Sequence, residues 1–508
     1  MSYRLSPVIA IPAVLFAASL SASTRLVTTG GTDSGDCTVT PCATLNFAIG
    51  QAVTDDTVSV GPGTFSNGGA AIVVNKRLHV TGAQAGTDAR TRVGATESIL
   101  TAPVRLVADS VVLDGFTVTC GTCDPPPCGA ICGIGVFTSS SFSGHTVINN
   151  IVTGNPIGVT FGSSGSLPSL LATNNIFDNT VGPGGSYGVF TSAAVSNATV
   201  AANRFSGQTS GQVDFIGMPS PATVKIFGND FPLGSTDGPA VILINNTGTI
   251  VNGNNVTGGS AIFAQFFVAG GDSNIDISGN SVIGTPGDAV LITQLIGTGA
   301  NGPVTVNSNT FLNNHVGVIV GSGNSVPIEM HFNRIANNAT ALITSVSSAA
   351  VNAQNNWWGC NAGPATCATN SLFAGSAVTL DPWVVMNIAA SASTIPQLQS
   401  CLVTADFNHN SLGLPFSGFV LFVNVPFSAT GGNIGQPPFS PLIFGMAQMP
   451  FVATAIGPAT VSATLDSQTV TANITVTSPI PTMPPMMLAL LGALLGTIAL
   501  LTMRRTGA

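Results

Sequence analysis

The chain has 508 residues, more than one hydrophobic core usually serves, so two domains or a long repeat array are expected. Charged residues make up only 6 % of the sequence, and twelve basic residues against twenty acidic ones leave a net charge of −8. Phosphate backbones are bound by clustered Lys and Arg, so this composition argues against a nucleic-acid-binding protein.

The N-terminus has the pattern of a secretory signal. Arg4 precedes an apolar stretch from Val8 to Leu20, and the small residues Ser21 to Ser23 follow. A first transmembrane helix is the alternative, but the run is short and contains Pro12. We therefore predict a signal peptide over residues 1–23 and an exported chain.

A short amphipathic helix is predicted between Ala43 and Val53. Leu45, Ala48 and Ile49 lie at helical spacing there. The open end of a stacked β-structure needs covering, because an unpaired strand edge invites aggregation. The helix is therefore expected to cap the first coil of the repeats described next.

The nine cysteines indicate an oxidising compartment, and eight of them lie in close groups. The groups are Cys37 with Cys42, then Cys120, Cys123, Cys128 and Cys132, and Cys360 with Cys367. The central group could bind zinc, but it lies in a Pro-rich loop with no His nearby. We favour disulfides, with the pairing open and Cys401 left over.

From residue 149 onward one pattern recurs at intervals of 22 to 29 residues: an apolar run, an Asn, any residue, and an apolar β-forming residue. A variable period in the twenties without helical spacing predicts one solenoid coil of at least two strands per repeat. The repeated residues are Asn149, Asn174, Asn203, Asn229, Asn254, Asn280, Asn309, Asn333 and Asn355.

Stacking places equivalent residues of successive coils about 4.8 Å apart, so the repeated Asn side chains are expected to form a hydrogen-bonded ladder. Asp114 is expected at the Asn position of an earlier coil. Arg204 and Asp230 each follow their ladder Asn, which predicts an exposed cross-coil ion pair worth at most about 1 kcal/mol.

Three segments resemble a known family. Asp36–Leu45 and Asp56–Phe65 are similar to the start of bacterial pectate-lyase-like β-helix proteins, and Asn355–Pro364 is similar to the motif that often closes them. The resemblance covers residues 24–383 and implies an all-β, right-handed parallel β-helix with an N-terminal cap helix. It implies no particular activity.

Short alternating strands follow Trp383 and predict a β-sandwich over residues 384–478. The clearest element is a hairpin of Val461–Leu465 and Val470–Val476, with Asp466 in the turn. The region resembles invasin-type bacterial immunoglobulin-like domains, although Gly435 to Pro450 departs from that family. Such domains usually act as spacers.

Residues 479–508 have the layout of a sorting signal. Met486 to Met503 form an apolar segment just long enough to span a bilayer, and Arg504 and Arg505 end it. The preceding Ile480, Pro481 and Thr482 resemble the Ile-Pro-Thr-Leu signal of exosortase-type systems, with Met483 in place of Leu. We predict a transmembrane or sorting segment, with a buried helix as the alternative.

An enzyme on this scaffold would need calcium-binding carboxylates with a basic proton acceptor, or two carboxylates at a fixed separation. The candidates are Asp109, Asp114, Asp272, Asp276, Asp288 and the pair Arg204 and Asp230. None repeats a catalytic motif, and His315 and His331 lie at different offsets and are not expected to meet. We therefore assign no catalytic residue, metal or cofactor.

Trp357 and Trp358 could stack on sugar rings, but the resemblance favours a buried structural role that closes the last coil. The leading prediction is an exported, non-catalytic envelope or extracellular protein, adhesive or structural, with weak polysaccharide binding. The expected partners are polysaccharide, the export machinery, an exosortase-type enzyme and the membrane of a Gram-negative bacterium. The alternative is a polysaccharide lyase or glycoside hydrolase with a divergent site.

Overall fold

The computed structural model describes residues 22–67, 70–119, 133–162, 165–177, 185–191, 195–217, 224–271, 274–293, 302–345, 349–367, 373–374, 378–416, 423–479 and 485–505. The chain divides into two compact units, residues 1–249 and 250–508. The predicted signal peptide, the central cysteine group, Asp272 and Ile480–Thr482 fall outside the described residues, apart from Ala22 and Ser23 of the signal.

The first unit is a parallel β-helix of short strands. The chain visits three sheets, A, B and C, once per coil, and each strand pairs in parallel with its equivalent one coil later. Sheet A holds β1 (Thr24–Val27), β2 (Thr57–Val60), β5 (His79–Thr81), β8 (Val112–Asp114), β11 (Thr146–Ile148), β14 (Ser169–Ala172), β17 (Ala198–Ala201) and β20 (Val224–Phe227).

Sheets B and C of this unit contain the other two strands of each coil. Sheet B holds β3 (Gly63–Phe65), β6 (Ser98–Leu100), β9 (Thr117–Val118), β12 (Ile151–Thr153), β15 (Asn175–Phe177), β18 (Arg204–Ser206) and β21 (Asp230–Leu233). Sheet C holds β4 (Ile72–Val74), β7 (Val104–Leu106), β10 (Ile134–Thr138), β13 (Ile157–Thr160), β16 (Tyr187–Thr191), β19 (Gly211–Ile216) and β22 (Val241–Ile244).

The second unit contains coils of the same three-sheet design. Sheet A holds β23 (Ile250–Asn252), β26 (Asp276–Ser278), β29 (Val304–Asn307), β32 (Ile328–His331), β35 (Val351–Asn352) and β37 (Val378–Thr379). Sheet B holds β24 (Asn255–Gly258), β27 (Ser281–Ile283), β30 (Thr310–Leu312) and β33 (Arg334–Ala336). Sheet C holds β25 (Ala264–Ala269), β28 (Asp288–Thr293), β31 (Val316–Val320), β34 (Thr340–Thr344) and β36 (Phe373–Ala374), and the helix α2 spans Pro364–Cys367.

The interior is built from apolar side chains that repeat coil by coil. In sheet A of the first unit the in-register positions Val58, Val80, Leu113, Val147, Leu171, Val200 and Ile226 are all buried. Strand residues alternate between the two faces of a sheet, so every second residue of a strand points into the interior, where it stacks on its equivalents in the neighbouring coils. Burying one such side chain contributes about 1.5–3 kcal/mol, which makes the repeat self-supporting.

The predicted N-terminal helix is confirmed as α1 (Leu45–Gln51). The Thr44 side chain accepts a hydrogen bond from the Phe47 N–H and caps the N-terminus. At the other end the Lys76 ammonium donates to the carbonyl oxygens of Ile49, Gly50 and Ala52. A cation at the C-terminus satisfies carbonyls that have no helical partner.

The region after the coils folds as two packed antiparallel sheets with one parallel pair. One sheet has the order β38 (Val384–Ala390), β40 (Ser400–Asn410), β44 (Met446–Ala453), β42 (Gly432–Ile434). The other has the order β39 (Thr394–Pro396), β46 (Gln468–Thr477), β45 (Gly457–Leu465), β41 (Asn424–Thr430), β43 (Phe439–Pro441), with β39 and β46 parallel. The predicted hairpin is confirmed, with Leu465 opposite Gln468. The immunoglobulin-like relationship stays a prediction.

The C-terminal segment forms the helix α3 (Pro485–Arg505). Its side chains from Met486 to Thr502 are exposed. Among the residues that the structure describes, however, no helix combines the length and apolarity needed to cross a membrane. The predicted transmembrane helix is therefore not supported.

Candidate functional site

A ladder of buried asparagines runs through the first unit at the corner between sheets A and B. The backbone N–H of each residue donates to the side-chain oxygen of the equivalent Asn one coil later, from Asn150 to Asn174 at 2.8 Å, Asn174 to Asn203 at 3.0 Å, and Asn203 to Asn229 at 2.9 Å. The side-chain amides repeat these contacts at 3.2, 3.0 and 3.1 Å. The coils are thus tied together by side chains as well as by strand pairing.

The second unit has the same ladder. The N–H groups of Asn254, Asn280, Asn309 and Asn333 each donate at 2.9 Å to the next Asn oxygen, and the series ends at Asn356. Each side-chain amide from Asn280 onward also donates to a backbone carbonyl, such as that of Ile277 for Asn309. Buried amides need all these partners, because an unpaired one costs about 1–3 kcal/mol.

Two predicted ladder positions are one residue too early. Asn150 and Asn356 occupy the ladder, whereas Asn149 and Asn355 precede them with φ of 55°. The residue before a ladder Asn is left-handed, for example Thr173 and Gly228, and Asn tolerates this conformation better than most residues. In an Asn-Asn pair the spacing alone does not tell which Asn points inward.

Asp114 also lies elsewhere than predicted. The residue that donates to Asn150 from the preceding coil is Phe116, and Gly115 before it has a φ of 82°. Asp114 lies two positions earlier, where its carboxylate accepts hydrogen bonds from Gly86 N–H and the Asn149 amide. The Asn149 oxygen in turn accepts from the Thr173 hydroxyl.

Further corner amides were missed by the sequence pattern. In the second unit, Thr285 N–H donates to Asn314 and Asn314 N–H donates to Asn338, at the corner between sheets B and C. At the corner after sheet C, Asn324 donates to the Ile292 carbonyl. The sequence signal that could have found them is an Asn or Gly before each amide, here Asn313, Asn337 and Gly323. These residue types tolerate the left-handed conformation that all three adopt.

Trp357 and Trp358 are both fully buried, which leaves neither indole face open to a sugar ring. The Trp357 ring packs edge-on against Phe407 of the sandwich, with centroids 5.3 Å apart. Its N–H donates to Asp466 at 2.7 Å, and Asp466 also accepts two hydrogen bonds from the Arg334 guanidinium. The hairpin turn of the sandwich is thereby fixed to the last coil.

The two outer cysteine groups form disulfides, Cys37 with Cys42 and Cys360 with Cys367. Cys401 is a free, buried thiol of the sandwich, and burial raises its pKa. Cys120, Cys123, Cys128 and Cys132 lie outside the described residues. Disulfides such as these persist in oxidising compartments.

The described candidate carboxylates do not converge. Asp276 lies on sheet A beside Thr305 and Ser278, whereas Asp288 lies on sheet C and contacts His315 at 3.0 Å. His331 lies on sheet A, where it contacts Glu329. Within the described ranges no group of three His, Cys, Asp or Glu side chains could hold a metal ion.

The predicted ion pair between Arg204 and Asp230 is confirmed. The strands β18 and β21 align the two residues, and a guanidinium nitrogen lies 3.7 Å from a carboxylate oxygen. Both side chains are substantially exposed, so solvent screens the attraction.

The outer face of sheet C in the first unit carries aromatic side chains that were not predicted. Two rows run along it: Ile134, Ile157, Tyr187 and Gly211, and next to them Arg105, Phe137, Thr160, Phe190, Asp214 and Ile242. Most of these side chains are half-buried. The Arg105 guanidinium lies 5.6 Å from the centre of the Phe137 ring, and the rings of Tyr187 and Phe190 are 4.8 Å apart.

Two titratable groups of this unit are buried without matching partners. His145 is inaccessible, neither ring nitrogen has a hydrogen-bond partner among the described residues, and burial lowers its pKa to about 4. Asp214 is 4 % exposed, its Oδ1 atom has no such partner, and burial raises its pKa to about 7. His145 sits in the interior, whereas Asp214 lies on the outer face of sheet C.

No protein-family model and no curated protein matches this chain. Among solved structures it is similar to domains 4 and 5 of the S-layer protein SbsC, at 14 % identity and a TM-score of 0.15, over 20 % of this chain and 56 % of that one. It is also similar to the Dettilon tailspike protein gp208, at 13 % identity and a TM-score of 0.33, over 83 % of this chain and 85 % of that one. The enzymatically active domain of bacteriophage CBA120 tailspike protein 2 matches at 11 % identity and a TM-score of 0.29, over 90 % of this chain and 71 % of that one.

Proposed function

We propose that this is an exported, non-catalytic surface or extracellular protein that holds polysaccharide on the outer face of its β-helix, in an adhesive or matrix role. The observation that supports this is the aromatic face of sheet C in the first unit, with Phe137, Tyr187 and Phe190 half-buried on the outside. An outward sheet face that carries aromatic rings suits a long polymer, because each ring can pack against a sugar. The disulfides support an extracellular location.

We expect the mature chain from residue 24 to be retained on at least one of a panel of acidic and neutral polysaccharides in affinity electrophoresis, without releasing unsaturated products or reducing ends. Phe190→Ala should weaken the retention, because it removes a ring from the proposed face. Phe177→Ala is the matched control, since Phe177 is a half-buried ring on sheet B.

Turnover of any polysaccharide would favour the lyase or hydrolase alternative and contradict the non-catalytic role. Equal loss of retention in both variants would show that the face of sheet C is not the contact surface. Retention on none of the polysaccharides would reject the proposed function.

For localisation we propose that residues 479–508 direct the protein to the cell envelope of a Gram-negative bacterium, with Ile480–Thr482 as a processing motif, α3 as a membrane-associated helix, and Arg504 and Arg505 as its basic end. What supports this is a helix without a charged residue from Met486 to Thr502, whose apolar side chains are exposed rather than packed in a core. The sandwich, which we propose to be immunoglobulin-like, would then act as a spacer.

A chain ending at residue 479 should appear in the soluble extracellular or periplasmic fraction, whereas the full chain should sediment with membranes. Replacing Arg504 and Arg505 by Ser serves as the second variant, which should leak partly into the soluble fraction. Identical fractionation of the full and shortened chains would contradict the anchoring role.

A further inference from the structure

Four residues on two neighbouring strands form a patch on the outer face of sheet C that combines aromatic rings with a buried carboxyl group. Strands β16 and β19 are in register there, so Tyr187 lies beside Gly211 and Phe190 lies beside Asp214. In the next coil Ile242 lies beside Asp214. The side chains of Phe190, Asp214 and Ile242 are therefore consecutive members of one row, about 4.8 Å apart.

Gly211 leaves an indentation in this patch. A Cβ atom at Gly211 would lie 3.0 Å from the Ile242 Cδ1 atom and 3.8 Å from the Asp214 Cβ atom. The other members of that row, Ile134, Ile157 and Tyr187, have large side chains. The indentation is thus bordered by the Tyr187 ring, by Asp214 and by the movable end of the Ile242 side chain.

The Asp214 carboxyl group has no compensating partner on the described surface. The side chain is 4 % exposed, and its Oδ1 atom receives no hydrogen bond from any described residue. The raised pKa has burial as its cause, with no contribution from a nearby positive charge. Of the described residues in and beside this patch, Phe190, Gly211 and Ile242 are uncharged and apolar, and Tyr187 carries a titratable group.

A buried polar atom without a partner requires an explanation, because leaving one unpaired costs about 1–3 kcal/mol. The equivalent outward positions of the coils before and after it are apolar, Phe190 and Ile242. An external positively charged group would satisfy the carboxylate. It would also meet the electron-rich faces of the neighbouring rings, which attract cations.

The same row contains an internal example of a cation on a ring. Arg105 places its guanidinium 5.6 Å from the centre of the Phe137 ring, and both residues precede Asp214 in the row within this unit. Phe190 has no such residue beside it; its neighbours in the row are Thr160 and Asp214. Among the described members of this row, the Phe190 position therefore offers an aromatic face and a carboxylate with no cation beside them.

We propose that Tyr187, Phe190, Gly211 and Asp214 form a binding site for the positively charged amino group of an amino-sugar polysaccharide. This inference rests on the proposed polysaccharide-binding function and specifies its ligand. The sugar ring packs on Tyr187 and Phe190, its ammonium group donates to the Asp214 carboxylate, and the end of Ile242 moves aside. A charge-assisted hydrogen bond of this kind is stronger than a neutral one.

Binding at this site should release a proton. With a pKa of about 7 the free carboxyl group is mostly protonated at pH 5.5. An ammonium group favours the carboxylate and lowers its pKa, so the proton leaves when the ligand binds. Below the free pKa, affinity for the cation therefore falls as the pH falls.

The test is calorimetric titration of the mature chain with glucosamine oligosaccharides of one length, either fully N-acetylated or fully deacetylated. A third, N-trimethylated oligosaccharide has no N–H to donate and pairs with the carboxylate by its charge alone. Because this charge does not titrate, the trimethylated form is measured at pH 5.5 in two buffers of different ionisation enthalpy. We expect the deacetylated form to bind at least about tenfold more tightly than the acetylated one, and the trimethylated form to release close to one proton per site.

Asp214→Asn should abolish both the preference for the deacetylated form and the proton release, since the amide keeps the shape but has neither a negative charge nor a proton to lose. Asp230→Asn is the matched control: it makes the same change at an exposed carboxylate that already has Arg204. It should leave both results unchanged.

Equal affinity for the acetylated and deacetylated forms, or an unchanged preference in Asp214→Asn, would overturn this inference. If the chain is still retained on other polysaccharides in that case, the proposed function stands and only the ligand class is wrong. If it is retained on none, both proposals fail together. Proton release that persists in Asp214→Asn would likewise reject this carboxyl group as the site.

Discussion

Replacing Asp466 by Asn is expected to lower the free energy of unfolding by about 3–5 kcal/mol, because the change leaves a buried positive charge without its partner. The Asp466 side chain is 1 % exposed and that of Arg334 10 %. The carboxylate accepts from Arg334 at 3.1 and 2.5 Å and from the Trp357 indole at 2.7 Å. An amide at this position has one oxygen instead of two to accept these three hydrogen bonds, and its NH2 group would lie near the guanidinium.

Chemical denaturation of the mature chain measures the effect. Asp230→Asn is the control, because the same substitution beside exposed Arg204 should cost no more than about 1 kcal/mol. The double variant Asp466→Asn with Arg334→Met should recover most of the loss, since removing both charges also removes the desolvation cost. A loss below about 1 kcal/mol in Asp466→Asn would show that the pair does not hold the sandwich turn to the coil.

The β-helix could be predicted because its physical signal repeats. Apolar alternation recurs along the coils, and from Asn150 onward a left-handed corner with an Asn recurs with it, and stacking forces equivalent residues into register. The ion pair of Arg204 with Asp230 followed from that register alone. Two ladder positions were predicted one residue too early, at Asn149 and Asn355. Two Asn are adjacent there, and either can take the left-handed position before the inward amide.

The environments of Asp466 and Asp214 could not be predicted in this way. In the sequence Asp466 has the pattern of an ordinary turn residue, and its φ of 53° fits that role. Its partner Arg334, however, is 132 residues away in sequence. Asp214 occupies an outward strand position that would normally be solvated, yet its side chain is 4 % exposed, and its row neighbours Phe190 and Ile242 belong to the coils on either side. Contacts between segments that are separated in sequence determine both environments, so a local sequence pattern cannot predict them.

Replacing the ladder residue Asn309 by Ala is expected to lower the free energy of unfolding by about 3 kcal/mol. The substitution leaves the Asn280 N–H and side-chain amide without their acceptor, and it removes donors to the Ile277 carbonyl and to Asn333. Burial denies these groups replacement by water, so most of the desolvation penalty remains.

Urea denaturation gives the free energy, and amide hydrogen exchange locates the defect. Exchange at the Asn280 N–H should accelerate by at least about a hundredfold, which corresponds to a local loss of roughly 3 kcal/mol. The control is Asn255→Ala, which makes the same substitution at an exposed Asn next to the ladder residue Asn254. It should change stability by at most about 1 kcal/mol, because water can replace a partner lost at an exposed position. If Asn309→Ala and Asn255→Ala were equally stable, the ladder would add nothing to a fold held by strand pairing and apolar stacking alone. The expected difference between them measures what the asparagines add coil by coil.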